Sequence, residues 1–389
     1  MSDLKLLNQL IDWRRYLHEN PETAFEEVNT AKFVSEKLVE MGYEVETGIG
    51  KTGLVASLKA GDGSGVIGLR ADMDAINMQE KGEFPYASRN SGKMHACGHD
   101  GHTVTLLGTA KLLAERKNFN GTVRLVFQPA EEPGKGAQAM IDDGLFTRFP
   151  VDEIYGLHNA PFLPEGAIHT RPEGIMASED NFVIRIKGKG SHASSPHVGV
   201  DPLVTASQII LGLQTIVSRN VSPLQQAVVS CTELHTDGVH NAIPSNVAIL
   251  GDTRSFSTDV QELIETRMRS ISENICNMNG AGCEFLYTHE FSPTVNWERC
   301  VNAAAKAAIN VVGEDKVNTN CEPWTASEDF GTFLRHVPGC FLFLGSGKST
   351  KASENTPLHN SQYDYNDDIL EIGAEFFAEL IRLRLPQSN

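Results

Sequence analysis

The chain has 389 residues, of which 40% are hydrophobic and 21% charged, and its formal net charge is −17. That length exceeds one ordinary core and points to two domains. The acidic balance excludes nucleic acid or an anionic membrane as partner, because both need a basic face. No apolar run is long enough to cross a bilayer, and the first residues lack a continuous apolar export segment, so a cytoplasmic location is expected. Seven cysteines with irregular spacing and no CxxC pair are then expected to be reduced thiols.

In chain order, Leu6, Leu10, Trp13 and Leu17 recur at helical spacing and predict an opening amphipathic helix. A second one, TAKFVSEKLVEMG, is closed by Gly42. The apolar runs GLVASLKA, GVIGLRADMDA, TVRLVFQPAEE and EIYGLHNAP read as strands, with the helical segment TVTLLGTAKLLAERK between two of them. Near-continuous apolar strands separated by helices imply an α/β layer with a partly parallel sheet. From about residue 180 the pattern becomes strand, helix, strand, strand, helix, strand, the split βαβ or ferredoxin-like unit. CVNAAAKAAINVVG, FLFLG and DDILEIGAEFFAELIRLRL then return to α/β patterning. The expectation is one discontinuous host domain, residues 1–177 and 290–389, with an inserted domain at 178–289.

Polar clusters end or follow the host strands: ADMDA, HACGHDGH, QPAEE and GLHN, with PLHNSQYD near the C-terminus. Ligands gather at the carboxyl ends of strands in open α/β sheets. Cys97 and His99 are two apart, so in an extended segment they share a side and can reach one centre. Thiolate, imidazole and carboxylate are zinc-type donors. The competing readings are a surface loop with a helix-capping Asp100 or Thr103, and a cysteine hydrolase with Cys97 as nucleophile and a histidine as base. Glu131 and Glu132 would point opposite ways in an extended segment, one to a metal and one to a substrate as general base. Alone, such a pair is more often two solvated glutamates in a turn. Single histidines such as His158 and His359 are more often structural. Together, Cys97, His99, Glu132, His158 and His359 suit two tetrahedral or five-coordinate metals sharing a water.

These motifs, with HENPETAFEE, GKGSHASSPHVGVDP, HNAIPSNV and ASEDF, give a chain that resembles, over nearly its whole length, the hippurate hydrolase and auxin-conjugate hydrolase branch of the aminoacylase/carboxypeptidase G group of dinuclear metallopeptidases. The resemblance implies a zinc-peptidase-like α/β catalytic domain and an inserted ferredoxin-like lid that forms a homodimer, or a higher oligomer. It implies Cys97, His99, Glu132, His158 and His359 as ligands, with Cys97 bridging, and Glu131 as general base. Asp74 matches a carboxylate that orients a ligand, and His192 a lid histidine that reaches a neighbouring active site. Asn241 and Arg254 match lid residues that hold the substrate's carbonyl and carboxylate. The implied cofactor is two divalent metal ions per subunit, Zn, Mn, Ni or Co. The implied reaction is hydrolysis of the amide bond of a small N-acyl amino acid. Rival readings are a narrow biosynthetic N-acetyl-diamino-acid deacetylase and a metal-bound binding protein without turnover.

Overall fold

The computed structural model describes residues 4–349 and 351–387. The chain forms two compact units. The first comprises the chain up to Ile175, then Val295–Glu322, then the chain from Asp329; the second comprises Met176–Thr294 and Pro323–Glu328. Pro323–Glu328 joins the second unit through backbone bonds, since the Ala177 N–H donates to the carbonyls of Trp324 and Ala326. No helix among the described residues is long and apolar enough to cross a membrane.

The first unit is built on an eight-stranded mixed sheet. Its centre is four parallel strands, in spatial order Gly121–Gln128, Val66–Asp72, Glu153–Pro164 and Gly339–Gly347. These are the near-continuous apolar runs of the sequence, and buried parallel strands require that composition. Gly53–Ala60 and Glu44–Ile49 extend one side antiparallel. Glu44–Ile49 (EVETGI) carries one buried residue, too weak an apolar signal to stand out in the sequence. The helix His99–Arg116 makes the crossover between two central strands and packs with Leu4–Glu19 and Leu370–Arg384. Every residue from His99 to Ala110 is buried, so over these turns the helix has no solvent face and shows no amphipathic stripe. Along the opening helix Leu6, Leu10 and Leu17 are buried in that core, and Trp13 packs at its margin.

The second unit runs Glu179–Lys187, Pro202–Thr215, Ala227–Thr236, Asn246–Ser255, Thr258–Met278 and Gly282–Phe291. All strand pairs are antiparallel, and the first and third long strands lie in the middle of the sheet. That is the ferredoxin-like arrangement. Both helices begin where a side chain satisfies free backbone N–H groups. Asp201 accepts from Leu203 and Val204, with Pro202 in the first turn, and Ser257 accepts from Val260. Ile209, Leu213, Ile264 and Met268 bury the helices against Ile184 and Ile249 of the sheet.

Candidate metal centre

One central strand supplies His158 and one helix His99, while loops supply Cys97, Glu132 and His359. Asp72 ends one strand and is the register partner of Gln128, which ends the next. His158 lies on a third. The helix His99–Arg116 begins four residues earlier than the apolar pattern suggests, because its first turn is made of buried polar groups. Cys97 and His99 therefore do not share the side of an extended segment. Gly98 between them is left-handed, φ +91°, and this turn brings the thiol and the imidazole to one place. A Cβ at Gly98 would also sit 2.7 Å from Asn159 Oδ1, so glycine answers both demands.

Glu131 and Glu132 are likewise not extended. They begin a turn whose preceding residue, Ala130, has φ +49°. Both carboxylates consequently face the same partner: Glu131 Oε2 and Glu132 Oε1 each lie 3.9 Å from His99 Nε2. The expectation that they point opposite ways fails because the strand has already ended at Gln128.

Cys97 Sγ lies 3.5 Å from His158 Nε2. His359 Nε2 lies 3.4 Å from Glu132 Oε1. One donor atom each from Cys97, His99 and His158 fall within 4.8 Å of one another, as do those of Cys97, Glu132 and His359, and of His99, Glu131 and Glu132. Four of the five predicted ligands are thus drawn inside, while the His359 side chain is 54% exposed at the mouth. Its loop is tied to the Cys97 loop by the His359 N–H donating to Ala96 O, 2.8 Å.

Two atoms bear on what the cluster could hold. His99 Nε2 and Glu132 Oε1 are buried without a hydrogen-bond partner. Such atoms are costly unless something else satisfies them. A divalent transition metal does, and thiolate, imidazole and carboxylate are its usual donors. The electrostatics agree. Burial, then Glu132, pushes the Cys97 thiol up to about 12. Burial would lower His99, but Asp72 and then Cys97 hold it well above the usual range. Burial would raise Glu132, but its contact with His359, and then His99, lowers it. Burial and His102 push His158 well down, which keeps it a neutral donor. Donors with such opposed preferences are reconciled by a cation that takes thiolate, carboxylate and neutral imidazole together.

The support around these donors is also specific. Asp74 accepts the N–H groups of Glu131 (3.0 Å) and Glu132 (3.1 Å), and its carboxylate lies 3.3 Å from His99 Nδ1. His99 Nδ1 donates to Asp74 O at 2.8 Å, which leaves Nε2 as the nitrogen that could meet a metal. Both ring nitrogens of His102 are engaged by other groups. Its Nδ1 lies 2.7 Å from Asp72 Oδ1, and its Nε2 accepts from the Asn159 N–H at 3.0 Å and also lies 2.5 Å from Asn159 Oδ1. Arg70 donates to Gln128 (2.8 Å), Asp72 (2.9 Å) and Asp329 (3.2 Å), all buried. Sequence reasoning missed Arg70 and Asp329 as supports. The available signal for Arg70 was an arginine inside the apolar strand VIGLRAD, two residues before Asp72.

In the second unit, His192 pairs with Ala242 in a two-stranded ribbon and is exposed. Its Nδ1 accepts from the Ser194 N–H at 3.1 Å and lies 2.8 Å from Ser194 Oγ. A neutral ring held this way carries its proton on Nε2. Asn241 is exposed, and its carbonyl accepts from the Ala193 N–H at 3.0 Å. Arg254 is compensated by Glu179 (2.9 Å) and Asp252 (3.1 Å) and donates to Ser327 Oγ at 2.5 Å. A substrate carboxylate would have to share it with those acids.

Residues 68–383 match peptidase family M20/M25/M40. The chain is 41% identical to a hippurate hydrolase of Campylobacter jejuni, covering 94% of each. It is 39% identical to an N-acetylcysteine deacetylase of Bacillus subtilis, covering 98% of each. A solved structure of a dinuclear metal-binding peptidase from Bacillus subtilis superposes with TM-score 0.85 at 34% identity, covering 98% of this chain and 99% of that one.

Proposed function

The chain belongs to peptidase family M20/M25/M40, and on that premise we propose that it hydrolyses the amide bond of N-acyl amino acids with two divalent metal ions, Zn, Mn, Ni or Co, held per subunit. As a member of the family it is a metal-dependent hydrolase of amide bonds. The observation that carries the finer reading is the convergence of buried Cys97, His99 and His158 with Glu132 and, at the mouth, the exposed His359, and a further buried carboxylate, Glu131, beside them. The small substrates named for the relatives, hippurate and N-acetylcysteine, share an acylated amino acid with a free carboxylate.

Cys97, His99, Glu132, His158 and His359 would hold the metals, with Cys97 as the bridge. Bound divalent metal lowers the pKa of water and polarises a carbonyl oxygen. Glu131 takes the proton of the attacking water and returns it to the leaving amine nitrogen. Asp74, through the Glu131 and Glu132 amides and His99, holds base and ligands in one frame. His192, from the lid of a second copy in a homodimer, donates its Nε2–H to the oxygen that becomes negative as the carbonyl is attacked. Asn241 and Arg254 receive the substrate's carbonyl and carboxylate. The chain works in the cytoplasm in this reading.

Glu131→Gln should keep its metal content, close to two ions per chain after reconstitution, and lose at least about 100-fold in kcat on hippurate or an N-acetyl amino acid. Metal content near zero in the wild-type chain, or full turnover in the variant, would refute the reading. The relation to an N-acetylcysteine deacetylase favours testing a narrower acetyl specificity as well. Direct competition between hippurate and N-acetyl amino acids separates the two.

A further inference from the structure

We propose that Glu27 is a positioning residue for the base and ligand glutamates, its carboxylate fixing the turn that carries Glu131 and Glu132 through the Ala130 amide. The proposal rests on the reading of Glu131 as general base.

Three successive amides enter this turn, and each is held by a carboxylate. Ala130 N–H donates to Glu27 Oε1 at 2.9 Å, and the next two N–H groups donate to Asp74. Ala130 is the residue under strain, left-handed at φ +49° with a Cβ that disfavours that region. An acceptor aimed at its N–H is what keeps it there. Glu27 is fully buried, and no ion pair joins it to a cation among the described residues. Its second oxygen accepts from Thr52 Oγ1 at 2.5 Å. Burial raises its carboxyl, against the Thr52 bond that lowers it, so the group sits there at a cost. Its backbone starts the helix Val28–Glu40, with Ala31 N–H donating to Glu27 O at 2.9 Å, which gives the carboxylate a rigid mount. At the far end of the loop Asp329 accepts the Ala137 N–H at 2.9 Å, so the segment is clamped on both sides.

Without the Glu27 carboxylate, Ala130 can relax and carry Glu131 away from its working position. Proton transfer is sensitive to such displacement, so kcat should fall more than KM rises. Glu27→Met keeps the volume and removes the acceptor. Its kcat on hippurate, per metal-loaded chain, should fall about 10–100-fold with KM within about threefold. In the metal-free protein, amide hydrogen exchange across residues 129–136 should speed up about tenfold or more. Glu27→Gln can still accept from Ala130 and donate to Thr52, and should stay within about threefold of wild type. Adding Ala130→Gly to Glu27→Met should recover about fivefold, because glycine enters the left-handed region freely.

Wild-type kcat and exchange in Glu27→Met would overturn the proposal. Loss of kcat in Glu27→Gln would also overturn it, even if the Met variant fails to fold. Equal losses in the Met and Gln variants with no recovery from Ala130→Gly would reduce Glu27 to a fold-stabilising residue. Glu131→Gln, run alongside, separates the two claims. Full turnover there removes the base and with it the reason for positioning, whereas an inactive Glu131→Gln beside a fully active Glu27→Met sinks the Glu27 proposal alone.

Discussion

His18 illustrates how much the first turn of the helix His99–Arg116 depends on residues remote in sequence. Its Nδ1 lies 2.8 Å from Asp100 Oδ2 and its Nε2 3.1 Å from Glu80 Oε1, all three buried. Burial alone would lower its pKa, but Asp100 and then Glu80 raise it to about 9. A histidine raised on folding contributes its full stabilisation below its unfolded value near 6.5, and loses it as pH climbs through about 9. The amount is on the order of 3 kcal/mol. The Tm of the wild type should therefore fall between pH 6.5 and 9 more steeply than that of His18→Gln, and parallel curves would refute the assignment. Cys97 gives a second expectation at this scale. Its thiol is held up at about 12, so it is protonated at neutral pH until a metal displaces the proton. Metal uptake by the metal-free protein should release at least one proton per chain, read with a pH indicator. Cys97→Ala should release fewer, and equal release would exclude thiolate ligation.

At the scale of the element, the helix His99–Arg116 is placed by what its glycines allow. A Cβ on Gly101 would lie 2.2 Å from Tyr365 Cε2, and that ring is buried. Gly101→Ala should therefore destabilise by about 1–3 kcal/mol, as overpacking does. It should also weaken metal retention, because His99 and His102 flank the site of strain. An unchanged Tm would mean that Tyr365 moves freely and that the packing does not hold the helix start. The helix body was legible from its apolar content, but its first turn was not. His99, Asp100, Gly101 and His102 carry no helical signal of their own; Asp72, Asp74, His18 and Asn159 fix them from other segments.

For the whole molecule, the two units divide the candidate roles. Metal donors and Glu131 belong to the first unit, and His192, Asn241 and Arg254 to the second. If the site is completed by a second copy, His192→Ala and Glu131→Gln should each be inactive alone yet regain part of the activity when mixed and allowed to exchange subunits. A full complement of mixed dimers without any recovery would rule out the shared site. The second unit was the more readable of the two, because its strands alternate and its helices are amphipathic. Its long strands and helices have one face in their own core and one exposed, which is the condition under which periodicity reports structure. In the first unit the central strands were readable from apolar runs, whereas the edge strand Glu44–Ile49 was not.

Residue types and spacing alone determined the fold class and named the candidate donor types. Apolar runs mark buried strands, and thiol, imidazole and carboxylate are donor types that suit a divalent metal. The tertiary structure alone decided how they meet. A left-handed Gly98, and not strand periodicity, joins Cys97 to His99, and the strained turn at Ala130 aims both glutamates at one imidazole. Which buried carboxylates support the site was decided there too, since Glu27 and Asp329 reach their amides across 103 and 192 residues of chain. Contacts of that range depend on the register of the whole sheet, and no window of sequence contains them.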